Sequence, residues 1–403
     1  MKKLQVEGWK VEKLGDVLQK TETVNPTLKP NHDFLYVDVS SVNNQTYSIE
    51  DVTQLKGKDA PSRARKLIKT GDVIFATVRP TLKRIAIVPE EYDNQVCSTG
   101  YFVLRPRDFI SNKYLFYFLL SDEFMEKMEK LQKGASYPAV TDNEVKSQMI
   151  AYPPLPEQQR IVSLLDETFA GLAQVHANAE RNLVNAREVF EAALQNVFEN
   201  KDGNWEEKTL QEVVDENCTL SYGIVQPGEE YPNGIPVIRP TDLTKKVITL
   251  DGLKRIDPRL ANSYKRTTLT GDELLLCVRG STGTVSVTSE ELKGANVTRG
   301  IVPIRFSSEF INQEFGYYLL ISGYVQKQIK EKTYGAALMQ INIGDLREIL
   351  TPFPPLEEQR AIVQRLDALA AETSRLEAVY QSKLEAVEEL RKSVLGKAFE
   401  GEL

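Results

Sequence analysis

Two long stretches of the chain carry apolar residues at alternating gaps of three and four, the spacing that places side chains along one face of a helix. The first runs from about residue 157 to 198 and the second from about residue 358 to 398. At about 1.5 Å per residue, each helix would be roughly 60 Å long and would need a partner to cover its apolar stripe. The apolar positions that we predict to pair are Leu165, Leu172, Val175, Leu183, Phe190, Leu366, Leu369, Leu376, Tyr380, Val387 and Leu390.

The two stripes fit each other as the two sides of a coiled-coil seam. Small residues in the first stripe, such as Ala179 and Ala186, leave room for larger residues in the second. Thr373 is a polar interruption of the second stripe. The short connection at 200–204 and the tandem arrangement of the chain favour an antiparallel pair, with a globular module at each end.

The remaining sequence predicts short strands, turns and one further helix in each half of the chain. Apolar runs bounded by glycine and polar residues predict the strands, and helical spacing predicts the two helices. The predicted strands are 35–40, 73–78, 84–88, 101–104, 237–238, 273–277, 284–287 and 301–304, and the predicted helices are 112–131 and about 312–330. The fold class is therefore α+β, with strand-rich modules of mixed α/β content.

A shift of about 200 residues aligns the first half of the chain with the second, which indicates an internal duplication. Trp9 matches Trp205, and Gly100 matches Gly300. Thr-Gly-Asp ending at Asp72 matches Thr-Gly-Asp ending at Asp272. Each half is therefore predicted to be one globular module followed by one long helix.

The most specific repeat is the segment at which each long helix begins. Pro153-Pro-Leu-Pro-Glu-Gln158 recurs as Pro354-Pro-Leu-Glu-Glu-Gln359. Proline is tolerated in the first turn of a helix because the N–H that it lacks would have no intrahelical partner there. The predicted domains are globular modules at 1–152 and 201–353 and long helices at 153–200 and 354–403.

The composition is that of a globular protein, with 41% hydrophobic residues in a chain of 403. No apolar run approaches the roughly 20 residues needed to span a bilayer, and the first residues lack the apolar core of a signal peptide. The three cysteines have no metal-binding spacing and are too few for a disulfide framework. These features predict a reduced, cytoplasmic protein with no membrane segment.

The net charge of −7 argues against a protein that coats DNA without regard to sequence. The charge is unevenly distributed, because residues 1–150 carry 22 Lys and Arg against 20 Asp and Glu, a net charge of +2. A mildly acidic chain can still bind nucleic acid through local patches, particularly when partner proteins contribute basic residues.

Sequence motifs for catalysis are weak. Gly280-Ser-Thr-Gly283 resembles part of a phosphate-binding loop but lacks its lysine, so a tight turn is the stronger interpretation. With only two histidines, a metal site or a Ser-His-Asp triad is disfavoured. Asp38, Asp72 and Asp272 could imitate the carboxylates of a nuclease, but Thr-Gly-Asp before a strand favours a turn.

Polar residues recur at matching places in both halves, immediately after predicted strands. Arginine can bind guanine through two hydrogen bonds or can hold a phosphate, so such clusters suit nucleic-acid recognition. For a single residue, a solvated charged surface explains the pattern equally well, whereas recurrence in both halves favours a shared binding edge. The candidate DNA-binding residues are Arg63, Arg65, Lys66, Arg79, Thr81, Lys83, Arg84, Ser98, Thr99, Ser136, Lys265, Arg266, Arg279, Ser281, Thr282, Thr298, Arg299 and Gln340.

These features together resemble the specificity subunits of type I restriction–modification systems. The resemblance rests on the repeated segments at 153–162 and 354–363, the two tryptophan starts, the Thr-Gly-Asp turns and the ending Ala398-Phe-Glu-Gly-Glu-Leu403. It covers essentially the whole chain. The two helix starts are specific, whereas the match of the globular modules is one of architecture alone.

The resemblance implies two target recognition domains, each reading one half of a bipartite sequence in double-stranded DNA, separated by an antiparallel helical spacer. It also implies that the helices dock two methyltransferase subunits, which bring S-adenosylmethionine, and that the complex recruits restriction (motor-nuclease) subunits. The chain itself would hold no cofactor and catalyse no reaction. A non-catalytic protein–protein scaffold with two interaction modules on a coiled-coil rod is the alternative, and a self-contained nuclease or methyltransferase is disfavoured.

Overall fold

The computed structural model describes residues 7–201, 203–335 and 338–403. Its chain divides into two units, which we call unit 1 (Met1–Glu180 and Gln381–Leu403) and unit 2 (Arg181–Tyr380). This division passes through both long helices, whereas the sequence-based domains end where those helices begin. The first six residues of the predicted first module, and Asp202, Ala336 and Ala337 of the second, lie outside the described residues.

Unit 1 contains two sheets and a two-stranded ribbon. Its strands are β1 (Lys10–Lys13), β2 (Asp33–Val37), β3 (Thr53–Lys56), β4 (Ala64–Ile68), β5 (Val73–Ala76), β6 (Ile85–Ile87), β7 (Gln95–Ser98), β8 (Tyr101–Leu104) and β9 (Met149–Tyr152). The first sheet has the order β3-β2-β7-β4, with β2 parallel to β7, and the second has the antiparallel order β6-β5-β8. β1 pairs with β9 and so joins the start of the module to the segment before the long helix.

The helices of unit 1 follow its second sheet. They are α1 (Asn112–Leu120), α2 (Asp122–Leu131), α3 (Asp142–Lys146) and the long α4 (Leu155–Glu199), of which residues up to Glu180 belong to this unit. The predicted single helix at 112–131 is wrong, because Ser121 between α1 and α2 is extended. Its hydroxyl donates to Phe118 O and accepts from Phe124 N, so one side chain caps the end of α1 and the start of α2.

Unit 2 repeats this topology. Its strands are β10 (Glu206–Thr209), β11 (Ile235–Ile238), β12 (Lys254–Ile256), β13 (Leu274–Cys277), β14 (Val285–Val287), β15 (Asn296–Val297), β16 (Ile301–Ile304) and β17 (Leu350–Phe353). They form β12-β11-β15, with β11 parallel to β15, the antiparallel sheet β14-β13-β16 and the ribbon β10-β17. The counterpart of β4 is not a strand, since a short α-helix (Pro258–Ala261) and a 3-10 helix (Asn262–Thr267) occupy that part of the chain.

Within the described residues, unit 2 has counterparts of the four helices of unit 1, preceded in the chain by two short helices. They are α5 (Leu210–Val213), α6 (Pro258–Ala261), α7 (Gln313–Ile321), α8 (Gly323–Lys332), α9 (Ile343–Arg347) and the long α10 (Leu356–Glu400), which unit 2 shares with unit 1. The helix predicted at about 312–330 is likewise two helices, divided at Ser322. Ser322 donates to Leu319 O and accepts from Val325 N, which repeats the double cap of Ser121.

The continuous apolar strands at the centre of each unit are buried on both faces. In unit 1, Val73 and Phe75 of β5 face a core shared with the helices, whereas Ile74 and Ala76 face the other sheet. In unit 2 the residues of β13 alternate in the same way between two cores. Because side chains alternate along a strand, burial on both faces explains why these segments read as unbroken apolar runs.

The two long helices run antiparallel within each unit. In unit 1, Arg160 Nη2 donates to Leu403 O at 2.6 Å, and the guanidinium of Arg391 lies 5.2 Å from the ring centre of Phe169. In unit 2, Arg187 Nε lies 3.2 Å from Glu377 Oε2. Residue numbers thus rise along one helix as they fall along the other, as the sequence predicts for an antiparallel pair.

The residues of the seam differ in part from the predicted set. Leu165, Leu366 and Val387 are buried, whereas the side chains of Val175 and Leu390 are 48% and 49% exposed. Val175 and Leu390 lie at the exposed margin of the seam, because a step of three residues places each about 60° to one side of Leu172 or Val387 on its helix. The other predicted pairing residues, Leu172, Leu183, Phe190, Leu369, Leu376 and Tyr380, are half-buried.

No helix within the described residues is long and apolar enough to cross a membrane.

Candidate nucleic-acid interface

Gly100 stands where three segments of unit 1 meet. A Cβ atom built on it would lie 2.5 Å from Val39 Cγ2 and 3.8 Å from Val78 Cγ2, and its carbonyl accepts from Thr77 N at 2.8 Å. The turn after β2, the turn after β5 and the turn between β7 and β8 therefore share one edge. A hairpin at 133–139 closes this edge, because Arg79 N donates to Pro138 O. We define edge 1 as residues 38–41, 78–83, 98–100 and 133–139.

Arg79 and Lys83, at the two ends of the central turn of edge 1, have an unusual backbone conformation. They flank a 3-10 turn, Pro80–Leu82, and both have left-handed φ angles, of 50° and 52°. Few residues other than glycine adopt this conformation, and such strain is concentrated at functional sites. The guanidinium of Arg79 lies 5.2 Å from the ring centre of Tyr137, whose side chain is 72% exposed. An arginine stacked on an exposed aromatic ring can contact a base or a phosphate.

Unit 2 forms the corresponding edge with different side chains. Its central turn is held by Gly280 and Gly283, with φ angles of 88° and 97°. Thr282 Oγ1 donates to Met339 O at 3.2 Å, and Arg279 forms a backbone bridge with Gln340. We define edge 2 as residues 239–242, 278–283, 298–300, 334–335 and 338–340.

Arg279 is only half exposed, and its Nε is buried without a hydrogen-bond partner among the atoms that the structure describes. A buried donor without a partner costs free energy. Ser281 and Arg299 are exposed beside it on edge 2. Arg79, Thr81, Thr99 and Ser136 are the exposed candidates that unit 1 brings together on edge 1.

Several other candidates are bound inside the modules. Ser98 is fully buried, Thr298 is nearly so, and Thr298 Oγ1 donates to Ile238 O. Arg84 Nη1 donates to Val39 O at 2.9 Å and so holds the turn after β2 in place. Lys66 Nζ donates to Tyr101 O and pairs with Asp142 at 2.8 Å. These side chains therefore stabilise the turns of the edge and do not form its exposed surface.

The remaining basic candidates lie in different local structures in the two units. Arg63 precedes β4 and is exposed, and Arg65 lies on that strand with Nη1 donating to Ala64 O. Their loosely matched partners, Lys265 and Arg266, are exposed on the 3-10 helix that replaces β4. Lys83 is partly engaged, with Nζ 3.4 Å from Asp122 Oδ1.

Tyrosine hydroxyls from the interior of unit 1 donate hydrogen bonds to residues of edge 1. Burial raises the pKa of the Tyr101 phenol far above its ordinary value, so the hydroxyl stays protonated at neutral pH. Tyr101 Oη donates to Asp38 O at 3.2 Å and Val39 O at 3.1 Å. Burial likewise raises the pKa of Tyr36, whose hydroxyl donates to Asp38 Oδ1. Asp38 is therefore presented on edge 1 in a fixed position.

Comparison with known families decides how the two edges are interpreted. The model of the type I restriction modification DNA specificity domain matches residues 6–184 and again residues 202–386. The chain belongs to this family. The duplication seen in the sequence is thus a pair of DNA specificity domains, each ending within a long helix.

Curated relatives of the chain are specificity subunits of type I restriction enzymes. The EcoBI specificity subunit of Escherichia coli is 26% identical over 72% of this chain and 66% of its own length. The putative MjaX specificity subunit of Methanocaldococcus jannaschii is 23% identical over 98% of this chain and 94% of its own length. The chain thus spans just under two thirds of the first relative and nearly all of the second.

Solved structures show the same fold. A chain from a study of complex assembly and conformational transition of the type I R-M system has a TM-score of 0.84 and 30% identity, covering 99% of both chains. The crystal structure of the HsdS subunit from Thermoanaerobacter tengcongensis has a TM-score of 0.69 and 30% identity, covering 99% of this chain and 98% of that one. The two α+β modules and paired long helices are therefore the fold of the specificity family.

The sequence analysis missed three members of the two edges. Sequence patterns do not single out Tyr137 or Arg239, and they suggest Asp38 only as a possible nuclease carboxylate. Their position at the end of a strand could have indicated Asp38 and Arg239 as candidates. Asp38 directly follows β2, and Arg239 directly follows β11. Polar residues at strand ends are strong candidates when the strands lie in one sheet and end at a shared edge.

We expect Gly300→Ala to disturb edge 2. The new Cβ would lie 2.5 Å from Pro240 Cγ, so the turn after β11 must move. Overpacking of this kind costs about 1–3 kcal/mol. Thermal unfolding monitored by circular dichroism should show a lowered Tm, whereas Gly323→Ala, whose Cβ meets nothing within 4 Å, should leave the Tm unchanged or slightly raised. Equal melting of the two variants would contradict the close approach at Gly300.

Proposed function

We propose that this chain is the DNA sequence-specificity subunit of a type I restriction–modification complex, in which each unit reads one half of a bipartite target. The observation that carries the proposal is the recurrence of one edge in two units with different side chains. Edge 1 presents Arg79 on Tyr137, whereas edge 2 presents Arg279 between glycine-containing turns. Two domains that read different base sequences require the same backbone arrangement with different polar side chains, as in edges 1 and 2.

Reading of base edges and holding of phosphates would be divided among the exposed residues. Arginine can bind guanine O6 and N7 with two hydrogen bonds, and threonine and serine hydroxyls can bind several bases. Arg63, Lys265 and Arg266 lie on other local structures and suit phosphate contacts, which position the protein without carrying sequence information. The net charge of −7 makes basic surface from partner subunits part of this proposal.

The paired helices would dock two methyltransferase subunits. Leu164 and Val175 of α4 are about three turns apart, so they lie on the same side of the helix, and both are exposed. An exposed apolar flank on a long helix suits packing against a helix of another protein. S-adenosylmethionine would bind to those methyltransferase subunits, and motor-nuclease subunits would join the complex, so this chain would catalyse neither methylation nor cleavage.

We expect Val175→Asp to weaken the complex with the methyltransferase. Burying a carboxylate in an apolar interface is unfavourable, so co-purification should fall about tenfold or more. Ala177→Asp is the matched control, because Ala177 is exposed and lies about 200° further round the helix. Pull-down titration should separate the two variants while their melting temperatures remain equal. Equal retention of the methyltransferase by both would remove this flank from the interface.

The helices would also set the distance between the two half-sites. Two half-sites read on one face of the duplex lie about one helical turn, or about 34 Å, apart. A lengthened helix pair would then widen the gap while the read bases stay the same.

Selection from random duplexes tests the proposed function. The full chain, co-expressed with its methyltransferase subunit, would be incubated with a pool of random double-stranded DNA, and bound molecules would be sequenced. The proposal predicts enrichment of two short sequences separated by a fixed gap. A stable protein complex that enriches no sequence would instead support a protein scaffold.

A further inference from the structure

A charged turn on edge 2 holds an arginine in a fixed orientation. Arg239 directly follows β11, and a 3-10 turn, Pro240–Asp242, comes next. Asp242 Oδ2 accepts from Arg239 N at 2.7 Å and from Arg239 Nε at 3.0 Å, and Asp242 Oδ1 accepts from Arg239 Nη2 at 2.8 Å. The carboxylate therefore fixes both the backbone of the turn and the plane of the guanidinium.

The ion pair uses only one side of the guanidinium. Arginine carries its N–H donors in a rigid planar fork, and Asp242 engages the side formed by Nε and Nη2. The edge formed by Nη1 and Nη2 lies outside that pairing, and the Arg239 side chain is 38% exposed. Asp242 is itself mostly buried, so the pair presents the arginine rather than the carboxylate to solvent.

The turn belongs to the same edge as the other candidates of unit 2. Thr298 N donates to Ile238 O, directly before Arg239, at 2.9 Å. The Cβ position of Gly300 lies 2.5 Å from Pro240 Cγ and 3.6 Å from Arg279 O. The backbone of Arg239 is thus tied to the strand ends that carry Arg279 and Arg299.

We propose that Arg239 is a base-reading residue of unit 2 and that it recognises a guanine through N7 and O6 in the major groove. This inference rests on the proposed function of the chain as a DNA reader. A fork whose Nη1–Nη2 edge is not used by Asp242 matches the two acceptors of guanine. Because Asp242 offsets the charge of the arginine, attraction to a phosphate is weakened, whereas hydrogen bonding to a neutral base edge is retained. Prior fixing of the side chain also reduces the entropy lost on binding.

The matching turn of unit 1 has the opposite hydrogen-bonding character. Asp38 directly follows β2 as Arg239 follows β11, and an ionised carboxylate only accepts hydrogen bonds. The hydroxyl of Tyr36 fixes this carboxylate by donating to Oδ1 at 3.2 Å. A donor at this place in one unit and an acceptor in the other is consistent with two half-sites of different sequence.

The test compares Arg239 variants on the DNA that the wild-type complex selects. The full chain, bound to its methyltransferase subunit, is measured by fluorescence anisotropy against duplexes carrying each base at every position of the second half-site. Arg239→Ala should reduce the preference for guanine at one position by roughly 5- to 150-fold and leave the other positions unchanged. Replacing that guanine with 7-deazaguanine, which lacks the N7 acceptor, should weaken the wild type but not Arg239→Ala.

Two further variants complete the design. Arg239→Lys keeps the charge but loses the planar fork, so it should also lose the guanine preference. If Arg239→Ala does not fold, Arg239→Lys tests the guanine assignment in its place. Arg259→Ala removes the arginine of another Arg–Asp pair in unit 2, formed between Arg259 of the short helix α6 and Asp257, which caps that helix. This variant should leave base preference unchanged.

Each result distinguishes this inference from the proposed function beneath it. Uniform weakening on all sequences by Arg239→Ala and Arg239→Lys would reassign Arg239 to phosphate, and unchanged binding would remove it from the interface. Both results overturn the guanine assignment while the wild type still selects a split sequence. If the wild-type complex selects no sequence at all, the proposed function itself fails.

Discussion

Replacing Asp72 with alanine is expected to destabilise unit 1 by about 3 kcal/mol. Asp72 is 1% exposed and binds Arg105 through two hydrogen bonds of 2.8 Å, from Nε to Oδ1 and from Nη2 to Oδ2. It also accepts from Lys69 N. Removing one partner of a buried ion pair costs about 3–5 kcal/mol, because the remaining charge is left without compensation. We expect the lower end of this range, since Glu22 still pairs with Arg105 at 3.0 Å.

Asp272→Ala provides the control for this prediction. Asp272 occupies the matching position of the repeated Thr-Gly-Asp, but it is 63% exposed. In unit 2 the neighbouring Glu273 is the buried carboxylate, with Oε1 3.6 Å from Arg305 Nη1. Loss of an exposed partner typically changes stability by less than about 1 kcal/mol. Calorimetry of both variants checks the difference, and an equal loss of stability would show that Asp72 is not the buried anchor of its turn.

Replacing Gln158 with leucine is expected to cost about 2–4 kcal/mol. Gln158 is fully buried at the start of α4, where Oε1 accepts from Ser111 N and Nε2 donates to Phe109 O and Pro153 O, each at 2.9 Å. Leucine would keep most of the volume but leave one backbone N–H and two carbonyls without this partner. Each unpaired buried group costs about 1–3 kcal/mol, and carbonyls tolerate the loss better than N–H groups.

The second copy of the motif should behave in the same way. Gln359 Oε1 accepts from Asn312 N, and its Nε2 donates to Phe310 O and Pro354 O, so Gln359→Leu should destabilise unit 2. The effects of the two substitutions should be additive, because they share no partners. Gln159→Leu is the control, since Gln159 is the next residue of the motif but is exposed. Chemical denaturation would contradict this account if Gln158→Leu and Gln159→Leu unfolded at the same denaturant concentration.

The buried glutamines explain why the helix-start motif appears twice. From the sequence, proline and glutamate signal the beginning of a helix, and α4 and α10 do begin within the motif, at Leu155 and Leu356. The role of glutamine was hidden, because its partners at Phe109 and Phe310 lie about 50 residues earlier in the chain. Periodicity predicts elements, whereas contacts between distant segments need the folded backbone.

The same limit explains which fold elements were found. Apolar runs at β5, β8, β13 and β16 were strong enough to predict strands because both faces are buried. The ribbon strands β1 and β10 are largely polar, since much of each faces solvent, and they carry little apolar signal. The breaks at Ser121 and Ser322 were missed because apolar spacing continues across them, and a serine alone does not end a helix.

The sequence predicts the location of the candidate site more readily than the individual side chains that form its surface. Repetition located the turns that form the two edges, but it could not separate exposed residues from supporting ones. Ser98 and Arg84 point into the module and hold its turns, whereas Tyr137 and Arg239 are presented outward. Side-chain direction at a turn depends on backbone angles such as the left-handed φ of Arg79, which apolar periodicity does not encode.

The most direct test of the central claim compares Arg79→Ala with Arg279→Ala in sequence selection. Both variants, as full chains with the methyltransferase subunit, would be given the same random duplex pool as the wild type. If each unit reads its own half-site, Arg79→Ala relaxes base preference only in one half, Arg279→Ala only in the other, and the gap between the halves stays the same. Relaxation of the same half by both variants, or equal weakening on every sequence, would contradict the assignment of one half-site to each unit.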